Sequence, residues 1–163
     1  MSFAVVYPSL FKTKPARTIE SWADLVATLQ DHLPSKAKKM QALWSPVSLR
    51  KGGSRSNDSV QQVNALVVDV DGGTAYAQAK QVVAGREWVA YSSYSHTDAE
   101  PHYHLVVKLD KPVSGDEWHA AYASLKAELG GIGDNLSAPS HAYFLPQHQP
   151  GTAYFVEASN ETE

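Results

Sequence analysis

The stretch that most constrains this chain is Ala-Leu-Val-Val-Asp-Val-Asp-Gly-Gly, residues 65–73. Its apolar part, residues 66–70, is rich in β-branched side chains and predicts a buried strand. The glycine pair that follows predicts the turn that ends it. Side chains alternate faces along a strand, so Asp69 and Asp71 point the same way, with Cα atoms roughly 6.5 Å apart. Two carboxylates in that position repel each other and resist desolvation. Solvent can take both. So can a cation, and hard divalent ions such as Mg²⁺ take oxygen ligands of this kind.

With 163 residues, 43% of them hydrophobic, the chain is long enough for one domain with a real core. It has no cysteine, which excludes disulfides, zinc–thiolate sites and thiol nucleophiles and accords with a reducing cytoplasm. No apolar run is long enough to span a membrane, and the first residues lack the basic-then-apolar order of a signal peptide. The net charge is -3, so any contact with nucleic acid must come from a local basic patch.

Along the chain, residues 3–7 predict a first strand. Ser21 is a helix N-cap with Asp24 at the capping-box position. Trp22, Leu25, Val26, Leu29 and Leu33 continue that helix toward Pro34. Lys36, Lys38 and Lys39 follow. Residues 49–58 hold Arg50, Lys51 and Arg55 among glycines and serines and predict a loop. Such a loop can cradle phosphate through arginine and backbone N–H groups, or serve only as a solvated linker. It lacks the Walker A order. Residues 74–83 have helical composition, and residues 88–91 predict a strand. Residues 102–109 predict another strand, closed by Pro112, with His102, His104 and Val106 on one face and Tyr103, Leu105 and Val107 on the other. Ser114 and Glu117 form a capping box ahead of a helix whose stripe is Trp118, Ala121, Tyr122, Leu125 and Leu129, ended by Gly130-Gly131. Short strands are expected at 142–145 and 154–156. The expectation is one domain over residues 1–156 and a frayed acidic tail over 157–163. Several strands are joined by loops too short for a crossover, which argues for an α+β domain with a mixed or antiparallel sheet covered by helices.

The polar residues near strand ends are Asp69/Asp71, His102/His104 and Asp134. Three carboxylates with a histidine suit two-metal phosphoryl transfer. Each also has a plain structural explanation: half-exposed strand histidines, or a loop aspartate holding a turn.

The order of four segments resembles the archaeo-eukaryotic primase superfamily, in the form of the primase-polymerase domain of plasmid and phage replication proteins. The segments are Val-Val-Asp-Val-Asp-Gly, Tyr-Ser-Ser-Tyr-Ser-His-Thr, Pro-His-Tyr-His-Leu-Val-Val-Lys-Leu, and Gly-Asp-Asn-Leu-Ser-Ala-Pro-Ser-His-Ala-Tyr-Phe-Leu-Pro. The resemblance covers residues 38–151. It implies an RRM-like catalytic core in which Asp69, Asp71 and Asp134 hold two Mg²⁺ or Mn²⁺ ions. It implies that His104 contacts the incoming nucleotide, with His102 just before it, and that residues 50–57 are the basic segment ahead of the first motif. Arg55 and Lys51 would then neutralise the triphosphate, with Arg50, Lys38 and Lys39 toward DNA. Plasmid and phage relatives often carry arginine where His102, His104 and His141 stand, which leaves His96 as a competing phosphate or base contact. The implied partners are a DNA template and primer, NTP or dNTP, and a fused or separate helicase or accessory domain, with this chain as the N-terminal part of a larger replication protein.

Two rivals use the same residues differently. His102-Tyr103-His104 also resembles the metal motif of rolling-circle replication nucleases, with Tyr122 as the attacking tyrosine and Lys126 four residues on. Tyr122 lies on an apolar stripe, where core packing accounts for it equally. The other rival is a module that binds nucleotide or single-stranded DNA without turnover, using Tyr94 and Tyr103 as stacking platforms.

Overall fold

The computed structural model describes residues 1–38, 41–71, 76–133 and 138–159. Its centre is an antiparallel pair of long strands, β6 (Val60–Asp71) and β8 (His102–Val113). β7 (Trp88–Ser92) and β11 (Val156–Ala158) extend the sheet on one side and β5 (Val47–Leu49) on the other, in the order β11-β7-β8-β6-β5. A second sheet has the order β2-β1-β4-β9, from β1 (Ala4–Tyr7), β2 (Arg17–Ile19), β4 (Leu43–Ser45) and β9 (Tyr143–Phe144). Pro46 sits between β4 and β5, where the chain passes from one sheet to the other. A two-stranded parallel ladder joins β3 (Leu33–Pro34) to β10 (Gln147–His148).

Alternation on β6 and β8 gives the central sheet two apolar faces. Leu66, Val68, Val70, Tyr103, Leu105 and Val107 cluster with Ala79 of α2 (Tyr76–Val82) and with Trp118, Tyr122 and Leu125 of α3 (Gly115–Glu128). Ala65, Val67, Val89 and Val106 cluster with Trp22, Leu25 and Leu29 of α1 (Trp22–Leu29), and with Trp44 and Tyr143. This is the expected α+β arrangement, antiparallel in its main sheets and covered by helices. No helix among the described residues is long and apolar enough to cross a membrane.

Both N-caps form as expected: Ser21 accepts from the Asp24 amide, and Ser114 with Glu117 makes a full capping box. Gly130 and Gly131 end α3 with φ of +78° and +80°, the left-handed region glycine favours.

Three expectations need correction. The first helix stops at Leu29 rather than running toward Pro34. His32 leaves it to bond His148 and the Ser92 carbonyl, so Leu33 pairs in a ladder and stays exposed. β8 does not close before Pro112 but runs through it. Its pairing with β7 ends at Trp88↔Val107, so beyond that point a proline can turn its missing N–H to an open edge. The tail does not begin to fray at Glu157, because residues 156–158 form β11 and Glu157 accepts from the Tyr76 hydroxyl (2.6 Å) and Lys80 (2.9 Å). Lys39, the turn at Gly72-Gly73 and Asp134 lie outside the described residues.

Candidate active site

The face of β6 that buries Ala65 and Val67 carries Asp69 and Asp71 at its end. Antiparallel pairing sets Asp69 opposite His104 and Asp71 opposite His102. Asp69 Oδ2 lies 3.4 Å from His104 Nε2, and His102 Nδ1 donates to Asp71 Oδ1 at 3.0 Å. The four side chains singled out on these strands are therefore brought together as two cross-strand carboxylate–histidine pairs.

The two pairs differ in depth. The Asp71 carboxylate is half exposed, whereas that of Asp69 keeps a quarter of its surface and its Oδ1 is buried without a partner. Burial pushes the Asp69 carboxyl up, but His104, His141 and Lys38 outweigh it and hold the group below its ordinary value. His104 Nδ1 is also buried and unpartnered. Tyr91 and Tyr143 pack on the His104 ring, with centroids 5.0 and 5.5 Å away. Tyr91 is fixed in turn, accepting from Trp44 Nε1 (3.0 Å) and donating to the Phe144 carbonyl (3.3 Å). Burial pushes both phenols far up, so they stay protonated.

These groups open on a cleft of about 340 Å³. Asp69, Asp71, His104, His141 and Lys38 form its polar wall, and Leu10, Leu43, Tyr91, Tyr143, Phe144 and Leu145 its apolar one. Ser93, Tyr94 and Gln147 also line it, and Gln147 Nε2 donates to the Lys38 carbonyl. Tyr143 and Gln147 escape a reading of the sequence because the short ladders that bring them here are long-range pairings. Tyr91 sits on an expected strand, and only its register with His104 reveals its role.

The other expected residues divide. Lys38 lines the cleft. His96 does not line the cleft but meets His102, whose amide donates to His96 Nδ1 at 3.1 Å; its Nε2 lies 3.8 Å from Asp98. Burial holds the His96 imidazole below its ordinary pKa, aided by His102 and opposed by Asp98. Arg55 donates to the Leu10 carbonyl (2.8 Å), with its guanidinium over the Tyr7 ring. It borders a neighbouring hollow that shares Leu10, Leu43, His141 and Ala142 with the cleft. Arg50 donates to the Asp58 carbonyl, and Arg50 and Lys51 are exposed and do not line the cleft. Tyr103 is fully buried and offers no stacking surface, and Tyr94 is half-buried, donating to the Ser35 carbonyl. Tyr122 is 5% exposed and stacked on Trp118, as a core residue is, and is not presented to a DNA phosphate.

Two carboxylates on one face, one with an oxygen that no donor among the described residues reaches, are a donor set suited to a hard cation. Among the described residues no group of three or more His, Asp or Glu is placed to hold a metal ion. The described chain runs as far as Gly133, just before Asp134. With φ of +95°, Gly133 leaves no room for a Cβ, which would stand 2.4 Å from Val68 Cγ1 and 3.4 Å from the Asp69 carbonyl oxygen. The segment leading into Asp134 thus lies against the strand that carries Asp69.

No curated protein sequence matches the chain. Among solved structures, the primase-polymerase (PrimPol) AEP domain of cyanophage S-2L is similar, with a TM-score of 0.53 and 17% identity over 96% of this chain and 80% of that one. At that identity the likeness establishes a shared fold, and the resemblance read from the four sequence segments is borne out at that level. A family model for the VapE N-terminal domain matches residues 14–162, nearly the whole sequence. The chain belongs to the VapE N-terminal domain family and has the fold of a phage primase-polymerase domain.

Proposed function

We propose that this chain is the catalytic domain of a metal-dependent nucleotidyltransferase that makes phosphodiester bonds on a DNA template in phage or plasmid replication. The observation that carries the reading is the Asp69/Asp71 pair lining the cleft, with an Asp69 oxygen that has no donor among the described residues. Family and fold support a replication setting.

Asp69 and Asp71, with Asp134, would hold two Mg²⁺ or Mn²⁺ ions. Bound there, such ions neutralise charge on a transferring phosphoryl group and favour the ionised form of an attacking hydroxyl. The chain's own residues do the rest. His104, His141 and Lys38 keep Asp69 ionised. Tyr91 and Tyr143 hold the His104 ring in place beside Asp69, on the lining of the cleft that would take the phosphates of NTP or dNTP. Leu10, Leu43, Phe144 and Leu145 give sugar and base an apolar wall that excludes water. In the bond-making step a primer 3′-oxygen attacks the α-phosphorus, and the bond to pyrophosphate breaks.

Pyrophosphate release tests this reading. With a primed template, Mn²⁺ and the templated nucleotide, about one pyrophosphate per nucleotide joined is expected, and Asp71→Asn abolishes it. Nucleotide binding with no pyrophosphate would instead favour the non-catalytic module. Asp71 accepts from His102 through one oxygen only, which leaves its other oxygen for a ligand.

A further inference from the structure

Beside the cleft lies an aromatic stack that the site does not use. β10 carries His148 next to Gln147, and the turn after it reverses the chain. In Gln149-Pro150-Gly151-Thr152 the Thr152 amide donates to the Gln149 carbonyl (3.1 Å), and Gly151 has φ of +80°. That is the type II pattern, with Pro at the second position and Gly at the third. The turn brings Tyr154 back over His148, with rings 4.0 Å apart at 11°, and over His32 at 4.8 Å and 28°.

The two histidines beneath are locked. His32 Nε2 donates to the Ser92 carbonyl (2.8 Å), so in neutral His32 it is Nδ1 that accepts from His148 Nδ1, also at 2.8 Å. Both histidines are buried, while Tyr154 keeps 53% of its surface. A flat ring seated on one face and wet on the other is what a nucleobase stacks on. An aromatic side chain left this exposed gains nothing for the fold by its outer face.

The surroundings favour a polyanion. The Ser35 amide donates to the His148 carbonyl (2.8 Å), so the chain leaving β3 carries exposed Lys36 and Lys38 past the stack. Neither lysine is in an ion pair with a carboxylate within 4 Å among the described residues. Lys38 also lines the cleft, and Gln147 joins the two places by bonding the Lys38 carbonyl. Lys38 and Gln147 thus link the neighbourhood of the platform to the cleft that holds the carboxylates.

We propose that Tyr154 is a stacking platform for a base of the single-stranded DNA template as it passes the cleft, with Lys36 on the adjoining phosphate. This rests on the polymerase reading of the Asp69 site and names its template contact.

The test is the affinity of the whole chain for a fluorescein-labelled single-stranded oligonucleotide, followed by anisotropy in EDTA so that catalysis plays no part. Tyr154→Ala is expected to weaken binding about ten-fold, and Tyr154→Phe to keep it within about two-fold, because stacking needs the ring and not the hydroxyl. Lys36→Gln should make the slope of log affinity against log salt shallower by about 0.7. A 5-iodouracil oligonucleotide should photo-crosslink to Tyr154. Binding that Tyr154→Ala leaves unchanged, no binding at all, or a dimer of the chain that Tyr154→Ala dissolves without any effect on DNA would each overturn the platform. Asp69→Asn separates the two readings: it should abolish extension yet bind the oligonucleotide like wild type. Extension that proceeds normally in Tyr154→Ala, with unchanged affinity, would remove the platform and leave the polymerase standing. Tyr154-dependent binding by a chain that never extends a primer would do the reverse.

Discussion

Asp69 and His104 face each other across β6 and β8, with Oδ2 3.4 Å from Nε2, and each keeps its other polar side-chain atom buried without a partner among the described residues. An unsatisfied buried group costs about 1–3 kcal/mol. A fold that retains two of them, side by side at a cleft, does so at the expense of stability. Asp69→Asn removes a half-buried charge while keeping the shape. It should leave the melting temperature within about 4 °C of wild type or above it, while nucleotide incorporation falls by at least about a hundred-fold. A thermal melt read beside an incorporation assay checks both, and a melt lowered well beyond that range would make Asp69 a structural residue.

Gly133 tests the approach of the chain to Asp134. A Cβ there meets Val68 Cγ1 at 2.4 Å on a backbone with φ of +95°, so Gly133→Ala must shift either the loop or β6. A loss of about 2–3 kcal/mol in a urea titration is expected, together with reduced incorporation, since the displaced loop leads directly into Asp134. Stability like wild type would mean that the loop does not rest on Val68.

How much of this was legible in the sequence follows from the range of each interaction. Alternation along one strand is local, so Asp69 and Asp71 on one face, and His102 and His104 on one face, could be read from spacing. That the two faces are the same one, with Asp69 opposite His104, depends on the register of β6 with β8, and no local pattern encodes it. The caps at Ser21 and Ser114 were legible because a capping box closes within four residues. Leu33 misled because its spacing continues the stripe of α1, while the choice to leave the helix is made by His32 finding His148 and Ser92 far along the chain. The Leu10 carbonyl and Tyr7 ring that Arg55 meets are likewise far along the chain, so no local pattern encodes them.

The buried histidine pair makes stability depend on pH. Burial lowers His32 to about 4, with the Ser92 carbonyl opposing and His148 and His96 adding to the shift. The unfolded chain, with an ordinary imidazole near 6.5, then binds more protons between about pH 4 and 6.5. Stability from this group is complete above that window and is lost as pH falls through it. Between pH 7.5 and pH 5 the loss should be about 2 kcal/mol. Urea midpoints at the two pH values measure it, and His32→Gln should flatten the difference. A protein equally stable at both would contradict a neutral buried His32.

Tyr76 and Lys80 hold β11 through Glu157, the Tyr76 hydroxyl at 2.6 Å. Tyr76→Phe removes the phenol donor and leaves the ring against Tyr103 and Phe155. A loss of about 1–2 kcal/mol is expected, with faster amide exchange in Val156–Ala158. Exchange in β11 unchanged from wild type would show that the strand is held by its ladder with β7 alone.

The polymerase reading stands most directly on one gel. An end-labelled primer on a longer single-stranded template is incubated with Mn²⁺ and all nucleotides, and wild type is run beside Asp69→Asn and Tyr122→Phe. Products longer than the primer should form with wild type and with Tyr122→Phe and be absent with Asp69→Asn. Shortened or protein-linked DNA that disappears in Tyr122→Phe, or a primer left unchanged by folded protein that binds the template, would contradict it.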